Sequence, residues 1–195
     1  MKNNFILTIL IITMVLFISG YTLVESKRAN EKQSAANEIT QDSYQDPGLK
    51  KVIQIALVVE DIEAASKKWG ELLNMDVPEI RTTRPGHEVQ VIYRGKPSEG
   101  QAKLTFFNLG QVVLELLEPV GEDTSWKEFL DSKGEGVQHI GFNVVDLVKA
   151  TQQLENAGYP VMHQGRYDSD DGTYVYFDSQ DDRGVVVELL HSDPR

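Results

Sequence analysis

VIQIALVVEDIEAASKKWGELLNMDV, residues 52–77, and VQHIGFNVVDLVKATQQLENAGYPV, residues 137–161, make nearly the same statement twice. In each, a β-branched apolar strand runs up to an aspartate, Asp61 or Asp146, and a helical pattern follows. Each aspartate stands where its side chain can accept from the free N–H groups of the first helical turn. Ile62, Ala65, Trp69, Leu72 and Leu73 recur at helical spacing, as do Leu147, Ala150 and Leu154, which gives each helix one apolar stripe. Asn74 and Gly158 stand where the helices should stop.

The two units also close alike. Gly110-Gln111 turns into VVLELLEP, Val112 to Pro119, and Arg183-Gly184 turns into VVVELLHSDP, Val185 to Pro194. Between opening and closing lie further strand-like stretches: VQVIYRG (Val89 to Gly95), KLTFFNLG (Lys103 to Gly110) and TYVYFDS (Thr173 to Ser179). A strand, a helix and then about three strands, taken twice, predict an α+β fold of two tandem βαβββ modules, near 51–119 and 137–195. Neither module can bury its apolar face alone, so their curved mixed sheets pair around a central cavity. GEDTSWKEFLDSKGEG, Gly121 to Gly136, joins them and carries a short helix from Ser125 to Leu130.

Outward from the repeat, the chain changes character. Residues 1–50 hold five basic and five acidic side chains, so the whole net charge of -11 falls on 51–195. An acidic surface of that kind repels nucleic acid and anionic membrane. Cysteine is absent, which excludes disulfides, thiolate ligands and a lipidated lipoprotein start. The uncharged run FILTILIITMVLFISGYTLV, Phe5 to Val24, follows Lys2 and reads as a signal peptide or a membrane anchor. Residues 25–50 are polar and contain Pro47-Gly48, so they read as a flexible tether. The domain at 51–195 is therefore expected outside the cytoplasm, secreted or held at the membrane by its N-terminal segment.

Polar residues stand out where a strand should carry only core side chains. Gln54 and His139 hold the same place in the two openings, each seven residues before its aspartate, and Glu115 and Glu188 hold the same place in the two closings. A pseudo-two-fold axis would bring the four together. Two carboxylates, an imidazole nitrogen and an amide oxygen suit one Zn²⁺, Ni²⁺, Co²⁺ or Mn²⁺ ion, and the carboxylates neutralise its charge. The alternative, two glutamates on solvated sheet faces, does not account for their matched positions.

The same residues carry a family resemblance. Val52 to Leu190 resembles the vicinal oxygen chelate superfamily, which includes glyoxalase I, methylmalonyl-CoA epimerase, extradiol dioxygenases and bleomycin- and fosfomycin-resistance proteins. Its most specific stretch, LELLEPVGEDTSWKEFLDSKGEGVQHIGFNVVDL (Leu114 to Leu147), is similar to the corresponding run of methylmalonyl-CoA epimerases. The resemblance places metal ligands at Gln54, Glu115, His139 and Glu188, a set similar to that of the eukaryotic type of glyoxalase I. Epimerases usually have His where this chain has Gln54, and ring-cleaving dioxygenases need a second His. By the same resemblance Glu188 is both ligand and base. Glu99, eleven residues before Gly110, lies about where epimerases keep a second carboxylate. The implied activity is that of an isomerase, epimerase or lyase, abstracting a proton next to a metal-polarised oxygen of a small substrate. The alternative is a binding or resistance protein of the same fold. Since one chain holds both halves of the site, monomer and homodimer are both compatible with it.

Other residues read as structural. His87, His163 and His191 have no repeat partner and read as surface or loop histidines. Trp69 and Trp126 suit core packing. Tyr167, Tyr174 and Tyr176 could border a cavity, and Asp168 to Asp171 reads as a solvated loop without calcium-loop spacing. Arg81, Arg84, Arg94 and Lys96 are the cations available to an anionic substrate.

Overall fold

The computed structural model describes residues 48–194. The leader or anchor expected at 1–24 and most of the expected tether lie outside the described residues. Leu49, at the tether's end, packs against the core of the second module.

The first module contains β1 (Val52–Val58), helix α1 (Ile62–Leu73), β2 (Arg81–Thr82), β5 (Gln101–Asn108) and β6 (Val113–Val120). Between β2 and β5 it also carries the short strands β3 (Ile92–Tyr93) and β4 (Lys96–Pro97). Helix α2 (Ser125–Lys133) leads into the second module: β7 (Gly136–Asn143), α3 (Leu147–Asn156), β8 (Val161–Arg166), β9 (Gly172–Phe177), the single turn α4 (Gln180–Arg183) and β10 (Val186–Ser192). The expected paired sheets are joined into one curled ten-stranded sheet of order β2-β5-β6-β1-β7-β10-β9-β8-β3-β4. Its centre is the antiparallel pair β1–β7. Each member of that pair has its own module's last strand as a parallel neighbour, β6 beside β1 and β10 beside β7.

The helix ends follow the sequence signals. Asp61 accepts from the Ala64 N–H and Asp146 from the Lys149 N–H, and Asn74 ends α1 in the left-handed conformation at φ 53°. Ile62 is buried under α1, with Ala65, Trp69 and Leu73 packed on the same apolar cluster. Leu72, expected on that stripe, is instead 74% exposed, because the residue beside Leu73 turns past the edge of the sheet-facing stripe. Ala150 and Leu154 bury α3 against β9 and β10. We expect Asp61→Ala and Asp146→Ala each to lower unfolding free energy by about 1 kcal/mol in urea titrations. No loss in either variant would show that these caps contribute nothing.

The modules differ in one connection. In the second, β8 and β9 are joined by 167–171, whereas in the first β2 and β5 are separated by 83–100. The strand expected at 89–95 shrinks to Ile92–Tyr93. It does not stay in its own module but pairs with β8 of the second, Tyr93 opposite His163. Backbone bonds from Arg94 N to Met162 O at 2.7 Å and from Arg166 N to Val89 O at 2.8 Å fasten this insertion. Arg94 and Gly95 both have positive φ, as a two-residue hairpin turn between β3 and β4 requires. Pro97 lies on β4, the edge strand, where a missing N–H costs no ladder bond.

This crossover changes the surroundings of His163, which is fully buried rather than a surface or loop residue. β3 covers its strand edge, Trp126 packs on its ring at 4.5 Å, and Tyr93, Tyr174 and Tyr176 complete an aromatic enclosure. Its Nδ1 pairs with Ser125 Oγ at 2.9 Å, and its Nε2 has no hydrogen-bond partner. Burial above all, with the charge of His139 second, pushes His163 down to about 3.

Candidate metal centre

Strand register assembles the polar residues. Gln54 on β1 lies opposite Gly141 on β7, and His139 on β7 lies opposite Ala56 on β1. Glu115 pairs with Ala56 and Glu188 with Gly141. Each glutamate thus faces the position two residues beyond its own module's Gln or His, which alternation places on the same face. That position must be small. A Cβ built on Gly141 would stand 2.7 Å from Glu188 Oε2 and 3.0 Å from Gln54 Cβ. Gly141→Ala should therefore push those two side chains apart and lower divalent-metal affinity at least several-fold, read by chelator competition. Unchanged affinity would show that the two groups need not be this close.

The four side chains meet. Gln54 Nε2 donates to Glu115 Oε2 at 2.7 Å and to Glu188 Oε2 at 3.2 Å, and lies 3.2 Å from His139 Nε2. His139 Nε2 is 3.2 Å from Glu115 Oε2 and 3.4 Å from Glu188 Oε2. Glu115, His139 and Glu188 are all buried. Burial pushes the Glu188 carboxyl up to about 7, opposed by His139 and reinforced by Glu115. For His139 burial works downward, but Glu188 and then Glu115 outweigh it and the ring is raised.

The donor set is that of a divalent-ion site. Among the described residues, the His and carboxylate groups alone form no preformed metal-holding group; the Gln54 amide is the fourth member of the cluster, with its nitrogen turned to the other three. Turning that amide over exchanges nitrogen for Oε1 at the same point. Donors bound at about 2.0–2.2 Å to one ion lie about 2.8–3.6 Å from each other, close to the 2.7–3.4 Å seen here. Two ionised carboxylates in a buried site are also stabilised by a cation between them. The residues fit one divalent ion held by Gln54, Glu115, His139 and Glu188.

Gln54, Glu115 and Glu188 line a cavity of about 330 Å³. Leu104, Phe106, Leu117 and Leu190 form apolar wall, Tyr167, Tyr174 and Tyr176 border it, and the insertion adds Val89 and Val91. Trp126 is both core and cavity wall. Of the candidate cations, Arg81 and Arg84 line the cavity. Arg84 is engaged by Glu88 and Asp170 and by the backbone of Asp168, so the loop 168–171 anchors the insertion rather than merely meeting solvent. Arg81 lies 5.3 Å over the Phe106 ring and has no carboxylate partner among the described residues. Arg94 is bound to Glu128 and Asp178 instead, and Lys96 is exposed on the edge strand β4.

Glu99 does not join the cluster. Its side chain is 73% exposed and ion-paired with His87 at 2.6 Å. The adjoining Gly100 is pinned, since a Cβ there would stand 2.1 Å from Thr124 Cγ2, and the chain leaves Glu99 facing outward. His87 is exposed as expected, and His191 bonds the Val144 carbonyl.

Two tandem modules with mixed strands curled around a polar floor define the class of fold. Residues 53–177 match the glyoxalase/bleomycin resistance protein/dioxygenase superfamily, and the chain belongs to that superfamily. Among curated proteins it is similar to the ethylmalonyl-CoA/methylmalonyl-CoA epimerase of Cereibacter sphaeroides, 28% identical over 138 residues, covering 69% of this chain and 92% of that one. It is also similar to the mouse mitochondrial methylmalonyl-CoA epimerase, 27% identical over 143 residues and 72% of each chain. Among solved structures the fold matches methylmalonyl-CoA epimerase from Mycobacterium tuberculosis, with TM-score 0.54, 18% identity, and coverage of 75% of this chain and 90% of that one. The Streptomyces coelicolor enzyme in complex with 2-nitronate-propionyl-CoA matches with TM-score 0.51 and 23% identity, over 75% of this chain and 99% of that one.

Proposed function

We propose that this chain is a divalent-metal-dependent isomerase that abstracts a proton from a carbon next to a carbonyl of a small acyl-bearing substrate. The observation that carries the reading is the convergence of Gln54, Glu115, His139 and Glu188 within 2.7–3.4 Å at the cavity. Similarity to methylmalonyl-CoA epimerases supports the reaction class. A bound ion would supply positive charge to polarise the substrate oxygen. The Glu188 carboxylate takes the proton, and the isomer forms when a proton returns on the opposite face of that carbon or at the neighbouring carbon. The Leu104, Phe106, Leu117 and Leu190 wall keeps water from the reacting carbon. Arg81, uncommitted to any carboxylate among the described residues, reads an anionic group of the substrate. Glu99 has no role in this reading while it is paired with His87.

The test has two stages. Metal content of the purified protein is measured by inductively coupled plasma mass spectrometry, before and after Zn²⁺, Ni²⁺, Co²⁺ and Mn²⁺ are offered. About one ion per chain is expected. The loaded protein is then incubated in D₂O with methylmalonyl-CoA and with small 2-methyl-3-oxo acids, and deuterium uptake at the acidic carbon is followed. A chain that stays empty with every ion removes the metal reading. Wash-in no faster than buffer across both substrate sets removes the isomerase reading. The uncharged run at 5–24 supports a place of action outside the cytoplasm. Protease accessibility in intact cells tests this, and full protection would overturn it.

A further inference from the structure

Consecutive residues of a strand normally point to opposite faces, yet His139 Nδ1 lies 2.5 Å from Oε1 of its own neighbour Gln138. The register explains the contact. Ala56 pairs with His139 and the next residue, Leu57, pairs with Val137, so Gln138 is an extra residue in β7. A bulge of this kind re-aims the side chains around it, and both Gln138 and His139 are fully buried. An amide oxygen accepts, so a Gln138 amide held in this orientation keeps the proton on Nδ1, and Nε2 is the nitrogen turned to Glu115 and Glu188.

The repeat supplies an internal comparison. β1 has a matching irregularity between Val52 and Gln54, with Ile53 as its extra residue. The counterpart of Gln138 is therefore an isoleucine, and the ligand it precedes is an amide, which has no tautomer to set. The hydrogen-bonding residue is present only on the imidazole side. Its own Nε2 finds no protein partner, and it borders a second cavity of about 190 Å³ with Ser125 and Gln180. A leucine would avoid that unpaired amide, so packing does not explain why glutamine stands here.

We propose that Gln138 is a positioning residue, which holds the proton of His139 on Nδ1 and so leaves the Nε2 lone pair for the ion. The inference rests on the metal reading of the site. Zn²⁺ affinity, measured by competition with a fluorescent chelator, should fall about 10- to 100-fold in Gln138→Leu. Gln138→Glu, which keeps an acceptor oxygen, should bind at least as tightly as the parent chain. The second readout needs no metal. In zinc-free protein, at a pH where the ring is neutral, ¹⁵N spectra should show His139 protonated at Nδ1 with a slowly exchanging proton. Gln138→Leu should lose that slow exchange and shift toward the other tautomer.

A parent chain with the neutral ring protonated at Nε2, or a Gln138→Leu chain that binds zinc as tightly as the parent, overturns this inference alone. A parent chain that binds none of Zn²⁺, Ni²⁺, Co²⁺ and Mn²⁺ overturns the metal reading and this inference with it. Because Gln138→Glu preserves size and an acceptor, a Gln138→Leu chain that fails to fold still leaves the parent tautomer and the Gln138→Glu affinity to decide.

Discussion

Glu188→Ala protein should leave purification without bound metal and should show no deuterium wash-in even when excess metal is restored. Glu115→Ala protein should also lose its metal but recover exchange at millimolar metal. The contrast follows from the two tasks assigned to one carboxylate. Both glutamates are buried on the cluster, with Oε2 atoms 2.7 and 3.2 Å from Gln54 Nε2. Either truncation removes a charged donor. Even partners one bond removed from a metal are worth about 10- to 100-fold in affinity, so loss of a ligand should cost at least about 100-fold. That deficit can be overcome by mass action. Loss of the base cannot, and a general base contributes about 10²- to 10⁴-fold to rate. Recovery of wash-in by Glu188→Ala under excess metal would show that another group takes the proton. Full metal retention in both variants would place the ion elsewhere.

The four-residue cluster could be read from the sequence because it is made twice. Gln54 and His139, then Glu115 and Glu188, fall at equal offsets from signals that local chemistry explains, the capping aspartates and the closing turns. Parallel pairing of β1 with β6 and of β7 with β10 converts those equal offsets into one meeting point. Gln138 and Ile53 left no comparable mark. A bulge is a property of two strands in register, and neither residue is a glycine or proline that would announce one. Gly141 is the exception: it sits two residues after His139 in the middle of the strand, and an unexplained strand glycine signals close approach.

The first module's strand at 89–95 failed for a related reason. VQVIYRG has the composition of a strand, but composition does not name its partner, and the insertion at 83–100 carried it to the far edge of the other module. The burial of His163 is hidden from the sequence with it, since the residues that enclose it, Tyr93 and Trp126, lie 70 and 37 positions earlier. Glu99 shows the opposite error. Its offset from Gly110 matched the expected second carboxylate, but a pinned neighbour, Gly100, and a surface histidine took it away from the cavity.

The enclosure of His163 leads to a pH effect on stability. The ring is neutral in the folded chain, with its pKa pushed from the ordinary 6.5 to about 3 by burial. The unfolded chain regains the ordinary value, so between those two pH values it binds one proton that the folded chain does not. Stability is then lost as pH falls, beginning near 6.5 and ending near 3. A shift of this size corresponds to about 5 kcal/mol over the whole window, at about 1.4 kcal/mol per pH unit. Between pH 7 and pH 5 alone it amounts to about 2 kcal/mol.

His163→Gln keeps a polar group within reach of Ser125 and removes the titration. Its unfolding free energy at pH 7 should be lower than the parent's, because the aromatic enclosure is shaped to an imidazole ring. Its further loss between pH 7 and pH 5 should be smaller by about 2 kcal/mol. Urea titrations of both chains in metal-free buffer at the two pH values provide the comparison, and the difference of differences cancels every other group that titrates alike in both. Parallel losses would mean that His163 takes up its proton without unfolding, which a ring enclosed by Trp126, Tyr93, Tyr174 and Tyr176 should not do.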